Sequence, residues 1–435
     1  MTKKLKVSLI CHFSNPIVRS HLPLDNRRIY NFVRRCLGME TKQRGYSDIA
    51  AWDTNFINNM KVRDDVELTV ISAHGGLKKS VIHFEAEGVQ YYFVRCDIAT
   101  LFKRLIKSPR LWHKLNPMRP VVRKIVGKVN PDIVALMGAE NAYYSGTILG
   151  LEKEYPIILK AQTIYNNPDR SKHGLVDAKN AYVEKLIFKA LNYVSVTTKM
   201  HYQLYRAYNK TAYNFDWSFG TTFHDVIPVQ NKEFDFVNFA NSMIPAKGFI
   251  DVLQAMVIVV KSHPEAKLNL IGTPSTENKL IYDKIIAENH LNNNVIITPF
   301  FEKQNDLFQH LQKSRFAVLP YKLDYIASTT FQAMHYEMPV VVYKTSGTPT
   351  LNKEKECVLI ADIGNIEQLA AKMLLLLDDK EKALELRKNA KEMVDIRNDG
   401  KRISDVVMDN FHAIVAHFRY GTPIPQKLIY NPLEQ

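Results

Sequence analysis

The feature that most constrains this chain is a regular alternation of short apolar runs with longer segments of mixed polarity, repeated through both halves of its 435 residues. Such an alternation predicts βα units around parallel sheets. Runs such as VALM, YPIIL and MPVVVY are apolar throughout, as expected of strands buried on both faces. The predicted strands span 5–11, 66–72, 89–94, 132–137, 157–161 and 193–196 in the first half, and 234–240, 266–271, 294–298, 316–320, 339–343 and 356–360 in the second.

The length exceeds that of one ordinary core, so two domains of roughly 200 residues each are expected. We predict an α/β architecture of two Rossmann-like parallel-sheet domains that face each other across a crevice, with ligands at the carboxyl ends of the strands. Helices are predicted over 249–261, 366–377 and 380–394. The predicted domains are 1–225 and 226–400, with a linker near 212–232, and residues 401–435 form a helix near 402–420 and an extended tail.

Composition and cysteine usage narrow the class of protein. With 46% hydrophobic and 23% charged residues the chain is typical of a soluble globular protein, and it has no apolar stretch of about 20 residues that would span a bilayer. Its four cysteines are scattered, without a CxxC motif, at Cys11, Cys36, Cys96 and Cys357. This spacing argues against a metal site and a disulfide framework, so we expect no bound metal and a cytoplasmic location.

The net charge of +14 comes entirely from the first half of the chain. Residues 1–225 hold 34 Lys and Arg against 19 Asp and Glu, whereas residues 226–435 hold 24 against 25. Nine of these cations, and no acid, fall within 101–130, which prolines at 109, 117 and 120 divide into short helices. Three interpretations stay open: a solvated helical face, a nucleic-acid site, or docking on an anionic membrane surface. Because no nucleic-acid motif accompanies the segment, we expect no nucleic-acid partner.

Three pieces of the second half point to a phosphate-bearing ligand. Lys247 and Gly248 follow a predicted strand and open a helix, whose unpaired N–H groups and positive dipole end suit a phosphate. Gly272 ends the strand in LNLIGTPS, where a backbone can approach a ligand closely. In VLPYKLDYIASTTFQAM a loop leads into a helix at Ser328 and Thr329. These two residues fit a helix N-cap and a phosphate site equally well, because both use the same N–H groups.

Residues 234–395 resemble the donor domain of retaining GT-B glycosyltransferases of family 4. The family's KG after the first strand of this domain matches Lys247-Gly248, and its EAMAxGxPVV matches QAMHYEMPVV at 332–341. Its two acids, with seven residues between them, fall on Asp324 and Gln332. The runs CHFSNPIVRSHLPL at 11–24 and SGTPTLN at 346–352 are similar to a bacterial subgroup that acts in surface and capsular polysaccharide biosynthesis.

The resemblance implies an enzyme that moves a sugar from a nucleotide-diphosphate sugar, either a UDP- or a GDP-sugar, to a glycan or lipid-linked acceptor. It implies no metal and no permanently bound cofactor. The 226–400 domain would bind the donor, 1–225 would face the acceptor, and 401–435 would cross back to the first domain. A lipid-linked acceptor would suit attachment to the inner face of the membrane. The implied donor-binding residues are Lys247, Gly248, Gly272, Asp324, Ser328, Thr329 and Gln332, and the implied acceptor-side residues are His12 and Gln162.

The resemblance also assigns chemical roles to these residues. Lys247 would contact the pyrophosphate, because departure of a nucleotide diphosphate requires positive charge at the phosphates. Asp324, with Lys247 one of the two implied catalytic residues, would hold hydroxyls of the transferred sugar, and Gln332 would hold the ribose. Ser328 and Thr329 would lie against the phosphates. Transfer with retention would proceed by front-face attack, with the leaving phosphate as base.

The sequence departs from the family pattern at several positions. Ser242 stands where the family has an arginine five residues before its lysine, Gln162 stands for a histidine of the first domain, and Gln332 replaces the second acid. HFSNP at 12–16 replaces a glycine-rich loop. These departures favour an alternative, a catalytically weakened GT-B protein that binds a glycan or a partner transferase. A sugar-nucleotide epimerase or a phosphorylase of the same fold is a third interpretation.

Overall fold

A computed structural model describes residues 4–24, 35–36, 49–161, 163–172, 176–217, 220–221, 223–301, 303–323 and 326–433. The chain divides into two compact units. Unit 1 comprises Met1–Gly220 and Gly400–Gln435, and unit 2 comprises Thr221–Asp399. These divisions fall close to the predicted boundaries at 225 and 400, while the acceptor and donor roles of the two units stay predictions. No helix among the described residues is long and apolar enough to cross a bilayer.

Unit 1 is built around an eight-stranded sheet with the strand order β3-β4-β2-β1-β5-β6-β7-β8. Every pairing is parallel except that of β3 with β4. The strands are β1 Leu5–Cys11, β2 Val66–His74, β3 Val81–Ala86, β4 Val89–Arg95, β5 Ile133–Met137, β6 Ile157–Lys160, β7 Tyr193–Ser195 and β8 Tyr213–Asn214. The helices are α1 Pro16–Ser20, α2 Ala51–Lys61, α3 Asp97–Leu105, α4 Pro109–Lys114, α5 Met118–Val129, α6 Ala142–Ser145, α7 Pro168–Lys172, α8 Ala178–Ala190 and α9 Lys199–Tyr208.

Unit 2 holds a six-stranded, all-parallel sheet with the order β11-β10-β9-β12-β13-β14. Its strands are β9 Phe234–Met243, β10 Leu268–Pro274, β11 Val295–Thr298, β12 Ser314–Leu319, β13 Val340–Tyr343 and β14 Leu359–Ala361. Its helices are α10 Phe249–Ser262, α11 Thr276–Glu288, α12 Gln304–Leu311, α13 Ser328–His335, α14 Ile366–Asp378 and α15 Lys380–Arg397. Helix α16 Gly400–Tyr420 then returns the chain to unit 1.

Both sheets are covered on both faces, which explains the continuously apolar strand sequences. In β1, Ile10 belongs to one buried apolar cluster of unit 1, and Leu9 and Cys11 belong to the other. In β9, Phe236 and Val237 divide in the same way between the two clusters of unit 2. Successive side chains of a strand point to opposite faces, so a strand between two helical layers must be apolar at every position. The predicted class of two parallel-sheet α/β units is therefore confirmed.

All twelve predicted strands are present. One boundary was misplaced and two further strands were not predicted, each for a local reason. Strand β14 begins at Leu359, not at 356, because the side-chain oxygen of Asn352 accepts the N–H groups of Cys357 and Val358 at 2.9 and 3.0 Å and holds them away from the ladder. The half-exposed edge strand β3 was not predicted, since it lacks a continuous apolar run. Strand β8 lies inside the predicted linker and is only two residues long, too short to leave a period in the sequence.

In both sheets the order of strands reverses beside the first strand, and such a reversal opens a crevice at the carboxyl ends of the two flanking strands. In unit 1 the flanking strands are β1 and β5, and in unit 2 they are β9 and β12. We refer to the carboxyl ends of these pairs as the unit 1 and unit 2 switch points. They fix where the predicted site residues lie, because His12 follows β1 and Lys247 follows β9 by four residues.

Helix α16 and the tail behind it belong to the core of unit 1. Val407, Met408, Phe411 and Ile414 join the same buried cluster as Leu9. The ring of Trp217 lies between those of Phe56 and Phe411, with centroids 5.3 and 5.6 Å away. The extended tail pairs with the end of the sheet, where Asn214 and Tyr430 exchange hydrogen bonds of 2.8 Å. The predicted helix near 402–420 is present as α16, whereas the tail that was predicted to be extended contains a 3₁₀ turn at Gln426–Leu428. Helix α16 covers, together with α1 and α2, one face of the unit 1 sheet.

We expect Phe411→Ala to destabilise the protein by about 3–5 kcal/mol, because it removes a fully buried ring and leaves a cavity beside Trp217. Tyr420→Ala, at the end of the same helix where the side chain is 78% exposed, serves as the matched control and should change the free energy of unfolding by less than about 0.5 kcal/mol. Urea denaturation followed by tryptophan fluorescence measures both. Equal effects of the two changes would contradict the placement of α16 in the core.

Candidate active site

The unit 2 switch point is built on a close approach at Gly248. Strand β9 ends at Met243, a 3₁₀ turn spans Pro245–Lys247, and α10 begins directly after Gly248. Gly248 has φ +74°, and a Cβ placed on it would lie 2.4 Å from the carbonyl oxygen of Pro320, just beyond β12. Only glycine can adopt this conformation with a backbone at that distance. The glycine therefore brings the start of α10 against the end of β12.

Lys322 and Lys247 both lie at this switch point, and they differ in whether a carboxylate neutralises the amine. Lys322 is neutralised: its Nζ lies 2.8 Å from Asp251 on α10, which also accepts a 2.7 Å hydrogen bond from the hydroxyl of Tyr343. The backbone N–H of Lys322 donates to the carbonyl of Ala246 at 2.9 Å, next to Lys247. Lys247 is half-buried, its burial lowers the pKa of its amine, and it forms no ion pair in the part of the chain that the structure describes.

Helix α13 contributes an uncapped N-terminus to the same region. Its N-cap is Ala327, which provides no side-chain hydrogen bond, so the interpretation of Ser328 and Thr329 as caps was wrong. The hydroxyl of Thr329 donates to the hydroxyl of Tyr321 at 3.0 Å, and Tyr321 donates to the carbonyl of Phe239 on β9 at 2.9 Å. The Thr329 hydroxyl is thus occupied. The N–H of Thr330 donates to the carbonyl of Ala327 at 2.9 Å, while those of Ser328 and Thr329 have no partner among the described residues.

The remaining predicted donor residues differ in how closely they join this cluster. A Cβ on Gly272 would lie 2.5 Å from the carbonyl oxygen of Ala240, so this glycine lets β10 pass close to the end of β9, where the register shifts. Gln332 lies one turn beyond Ser328 on α13 and is half-buried, with no side-chain hydrogen bond to the described residues. The predicted catalytic residue Asp324 and the predicted acceptor-side residue Gln162 lie outside the described residues.

The unit 1 switch point places His12 beside an aromatic and acidic cluster. Its Nδ1 lies 2.6 Å from the hydroxyl of Tyr143 on α6, and the two rings meet edge to face. Burial, followed by the charge of His74, lowers the pKa of His12 to about 4, so the imidazole is neutral at pH 7. A neutral imidazole can exchange hydrogen bonds with an acceptor hydroxyl, but it cannot supply a positive charge.

Two carboxyl groups that the sequence analysis missed lie at the unit 1 switch point. Glu140 follows β5 and folds over Gly138, and its Oε2 is buried without a hydrogen-bond partner in the described part of the chain. Burial raises the pKa of Glu140 to about 7. Asp53 on α2 is fully buried, and burial followed by the charge of Glu140 raises its pKa as well. Glu140 could have been found from the run MGAE at the end of an apolar strand, because polar residues at the carboxyl ends of parallel strands lie at the edge where such sheets bind ligands.

A cavity in unit 2 does not coincide with these sites. It has a volume of about 800 Å³ and lies at the amino ends of β12 and β13, the opposite edge of the unit 2 sheet from Lys247. Residues such as Lys232, Ser314 and Arg387 line it, and none of the predicted site residues does. Chemistry, and not concavity alone, therefore identifies the unit 2 switch point as the candidate site.

The comparison with protein families bears on unit 2. The model of the family described as glycosyl transferases group 1 matches residues 222–393, most of unit 2 and less than half of the chain. An uncharacterized glycosyltransferase of Haemophilus influenzae is 23% identical over 150 residues, which are 34% of this chain and 40% of the relative. The uncharacterized glycosyltransferase YqgM of Bacillus subtilis is 24% identical over 152 residues, 35% of this chain and 41% of the relative. Each match thus spans less than half of the relative's own length.

Solved structures extend the likeness to both units. Sucrose-phosphate synthase from Thermosynechococcus elongatus superposes with a TM-score of 0.61 at 14% identity, over 95% of this chain and all of its own. HepE of Anabaena, in complex with UDP and glucose, superposes with a TM-score of 0.61 at 14% identity, over 94% of this chain and 99% of HepE. A mutant of S. aureus TarM, in complex with Fondaparinux, alpha-GlcNAc-glycerol and UDP, superposes with a TM-score of 0.52 at 18% identity. The match covers 66% of this chain and 57% of TarM.

The fold is GT-B. Identities this low show the fold and leave the reaction open. Together with the group 1 family match, the GT-B fold supports a glycosyltransferase, while the family 4 assignment, the retaining mechanism and the capsular role stay predictions.

The raised pKa of Glu140 makes stability depend on pH in a direction that can be checked. Its pKa of about 7 in the folded state exceeds the usual value of a glutamate, so the native state holds the proton more tightly than the unfolded state does. Stability should therefore fall as the pH rises through this range. We expect Glu140→Gln to gain about 1–3 kcal/mol relative to wild type between pH 5 and pH 8.

Urea denaturation at several pH values measures this difference. Glu67→Gln, which changes an exposed carboxylate on β2, is the matched control and should leave the pH dependence as in wild type. A constant stability difference between Glu140→Gln and wild type at all pH values would show that Glu140 is ionised throughout.

Proposed function

We propose that this chain is a retaining glycosyltransferase that moves a sugar from a nucleotide-diphosphate sugar to a glycan or lipid-linked acceptor in bacterial surface polysaccharide assembly. The observation that carries the proposal is the unit 2 switch point. There Lys247, half-buried and without an ion pair among the described residues, stands at the start of one helix, and the uncapped start of a second helix is bonded to the loop after β12. Three positive features converge there, and among the described residues the carboxylate of Asp251 is already paired with Lys322.

This arrangement suits a leaving diphosphate. Each helix N-terminus carries about half a positive charge, and both α10 and α13 begin without a side-chain cap. Lys247 adds a full charge in a half-buried position, where water screens it less than it would screen an exposed lysine. Positive groups fixed before the reaction stabilise the charge that develops on the phosphates as the glycosidic bond breaks.

In this proposal Lys247 contacts the pyrophosphate, and the backbone N–H groups of Ser328 and Thr329 contact a phosphate oxygen. The hydroxyl of Thr329 takes no part, because it is bonded to Tyr321. Asp324 holds the transferred sugar and Gln332 the ribose, with Gly248 and Gly272 allowing close approach of the backbone. A UDP- or GDP-sugar is the donor, and HepE and TarM, which share the fold, were solved with UDP.

The acceptor is assigned to the unit 1 switch point. His12 and Tyr143 can exchange hydrogen bonds with a sugar hydroxyl there, and a protonated Glu140 can donate one. Because the retaining route takes its base from the leaving phosphate, these groups position the acceptor and need not remove its proton.

A second candidate is a catalytically weakened GT-B protein that binds a glycan or a partner transferase. It is favoured by Ser242, which is exposed at the end of β9 where the related enzymes carry an arginine, and by the uncharged Gln332. Release of UDP or GDP from any nucleotide sugar, with or without a glycan acceptor, separates the two functions, because a binding module breaks no glycosidic bond.

Thermal shift with UDP, GDP, ADP, CMP and their sugars tests the donor site. A nucleotide present at about 100 times its dissociation constant should stabilise the folded state by about 2.7 kcal/mol, and we expect UDP or GDP to do so. Lys247→Ala should abolish the shift, because it removes the unpaired charge, whereas Lys247→Arg should retain part of it.

Lys284→Ala provides the matched control, since it removes the same charge from an exposed position of α11 in the same unit. It should leave the shift as in wild type. A nucleotide shift that survives Lys247→Ala would move the diphosphate away from this site. The absence of any shift at millimolar concentration would remove the main support for the enzyme and favour the binding module.

A further inference from the structure

The segment around α3 and α4 exposes apolar side chains in an unusual concentration. Helix α3 buries Ala99 and leaves Ile98, Leu101 and Leu105 exposed at 43, 52 and 68%. Their spacing of three and four residues places them on one face of the helix. Leu111 and Leu115, each 49% exposed, repeat this spacing in and just after α4. Five of the 19 large apolar residues found exposed in the described chain thus fall within 18 residues.

The same 18 residues carry exposed positive charge without a counter-charge. Arg104, Lys107, Arg110 and Lys114 are exposed, and none of them forms an ion pair in the described part of the chain. No Asp or Glu occurs between 98 and 115. The fifth cation, Lys103, is held by Asp177 at 3.3 Å and Asn180 at 2.8 Å and serves to fasten α3 to unit 1. We call residues 98–115, with these exposed leucines, isoleucine and cations, the basic apolar face.

The basic apolar face is part of the folded unit and not a loose appendage. Trp112 is fully buried and donates its Nε1–H to the carbonyl of Ala99 at 3.3 Å, which joins α4 to α3. Asn116 donates to the carbonyl of Tyr143 at 2.9 Å and anchors the end of α4. The exposed side chains therefore project from a fixed backbone, so the exposure is a property of the native state.

We propose that the basic apolar face docks on an anionic lipid surface, with the aliphatic side chains in the headgroup and acyl boundary and the four cations at the lipid phosphates. Exposed aliphatic residues gain free energy by leaving water, and lysines and arginines near an anionic leaflet add electrostatic attraction. A solvated helical face would need the charges but not five exposed aliphatic residues.

The chemistry of the face disfavours other occupants. A second copy of this chain would bring two sets of four unpaired cations together. Single-stranded nucleic acid is bound through exposed aromatic rings, whereas the tryptophan of this segment is fully buried. The structure also narrows the segment, because α5 buries its apolar residues Met118, Val122 and Ile125, and its Arg123 is paired with Glu154. We therefore assign the lipid contact to residues 98–115 and not to the whole of the basic segment 101–130.

Sedimentation of the full chain with vesicles tests this inference. The probes are vesicles of phosphatidylcholine alone and of phosphatidylcholine with 30% phosphatidylglycerol, a composition chosen for the assay. We expect wild type to bind the anionic vesicles at least about tenfold more tightly than the neutral ones, and to lose this preference at high salt. No nucleotide is present, so the result does not depend on the proposed glycosyl transfer.

Two variants separate the two kinds of contact. Leu101→Ser with Leu105→Ser and Leu111→Ser removes aliphatic contact, and Lys107→Gln with Arg110→Gln and Lys114→Gln removes charge; each should weaken binding to anionic vesicles about tenfold or more. The matched control is Leu280→Ser with Leu384→Ser and Ile396→Ser, three exposed aliphatic residues of unit 2, which should bind as wild type does.

Circular dichroism and the melting temperature check that each variant is folded. Equal binding of wild type to neutral and anionic vesicles would overturn the inference. So would an equal loss of binding in the control variant, or full binding by the leucine variant, which would reduce the face to a solvated patch of charge.

Discussion

The contact on which the candidate site depends is that of Gly248 with the carbonyl group of Pro320. The strand order of unit 2 places β9 and β12 side by side, and the start of α10 can approach the end of β12 only if the residue between the 3₁₀ turn and α10 has no side chain. Any larger residue would push α10 away from β12 and separate Lys247 from the loop that leads to α13. The backbone geometry of one glycine thus determines whether the lysine and the second helix N-terminus can act on one ligand.

This contact also brings two lysines to the site, of which one is neutralised by a carboxylate and the other is not. Lys322 arrives beside Lys247 because its own backbone is bonded to Ala246, and Asp251 neutralises it. Without that carboxylate Lys322 would add a second uncompensated positive charge to this region. Lys247 is left as the unpaired cation, in a position where burial already disfavours its charge. An anionic ligand would relieve that cost, which is why we propose a diphosphate and not a neutral sugar as the group bound beside Lys247.

The sequence predicted the architecture well because a strand that is buried on both faces is apolar at nearly every position. It also predicted that Lys247 and Gly248 lie at the carboxyl end of β9, because the residues that follow a parallel strand lie at one edge of the sheet. It failed where the deciding contacts are distant in sequence. The pairing of Lys322 with Asp251 spans 71 positions, and nothing local marks the Thr329 hydroxyl as bonded to Tyr321. The raised pKa of Glu140 likewise comes from burial that only the folded chain creates.

The most direct test of the central claim is hydrogen exchange measured by mass spectrometry, with and without UDP or GDP at millimolar concentration. If the unit 2 switch point holds a nucleotide diphosphate, peptides that cover 246–250 and 327–331 should exchange more slowly in its presence, because in the proposal the first N–H groups of α10 and α13 bond to the phosphates. The groove at 224–232 and 312–316 should be unchanged. Protection confined to that groove, or no protection by either nucleotide, would contradict the account.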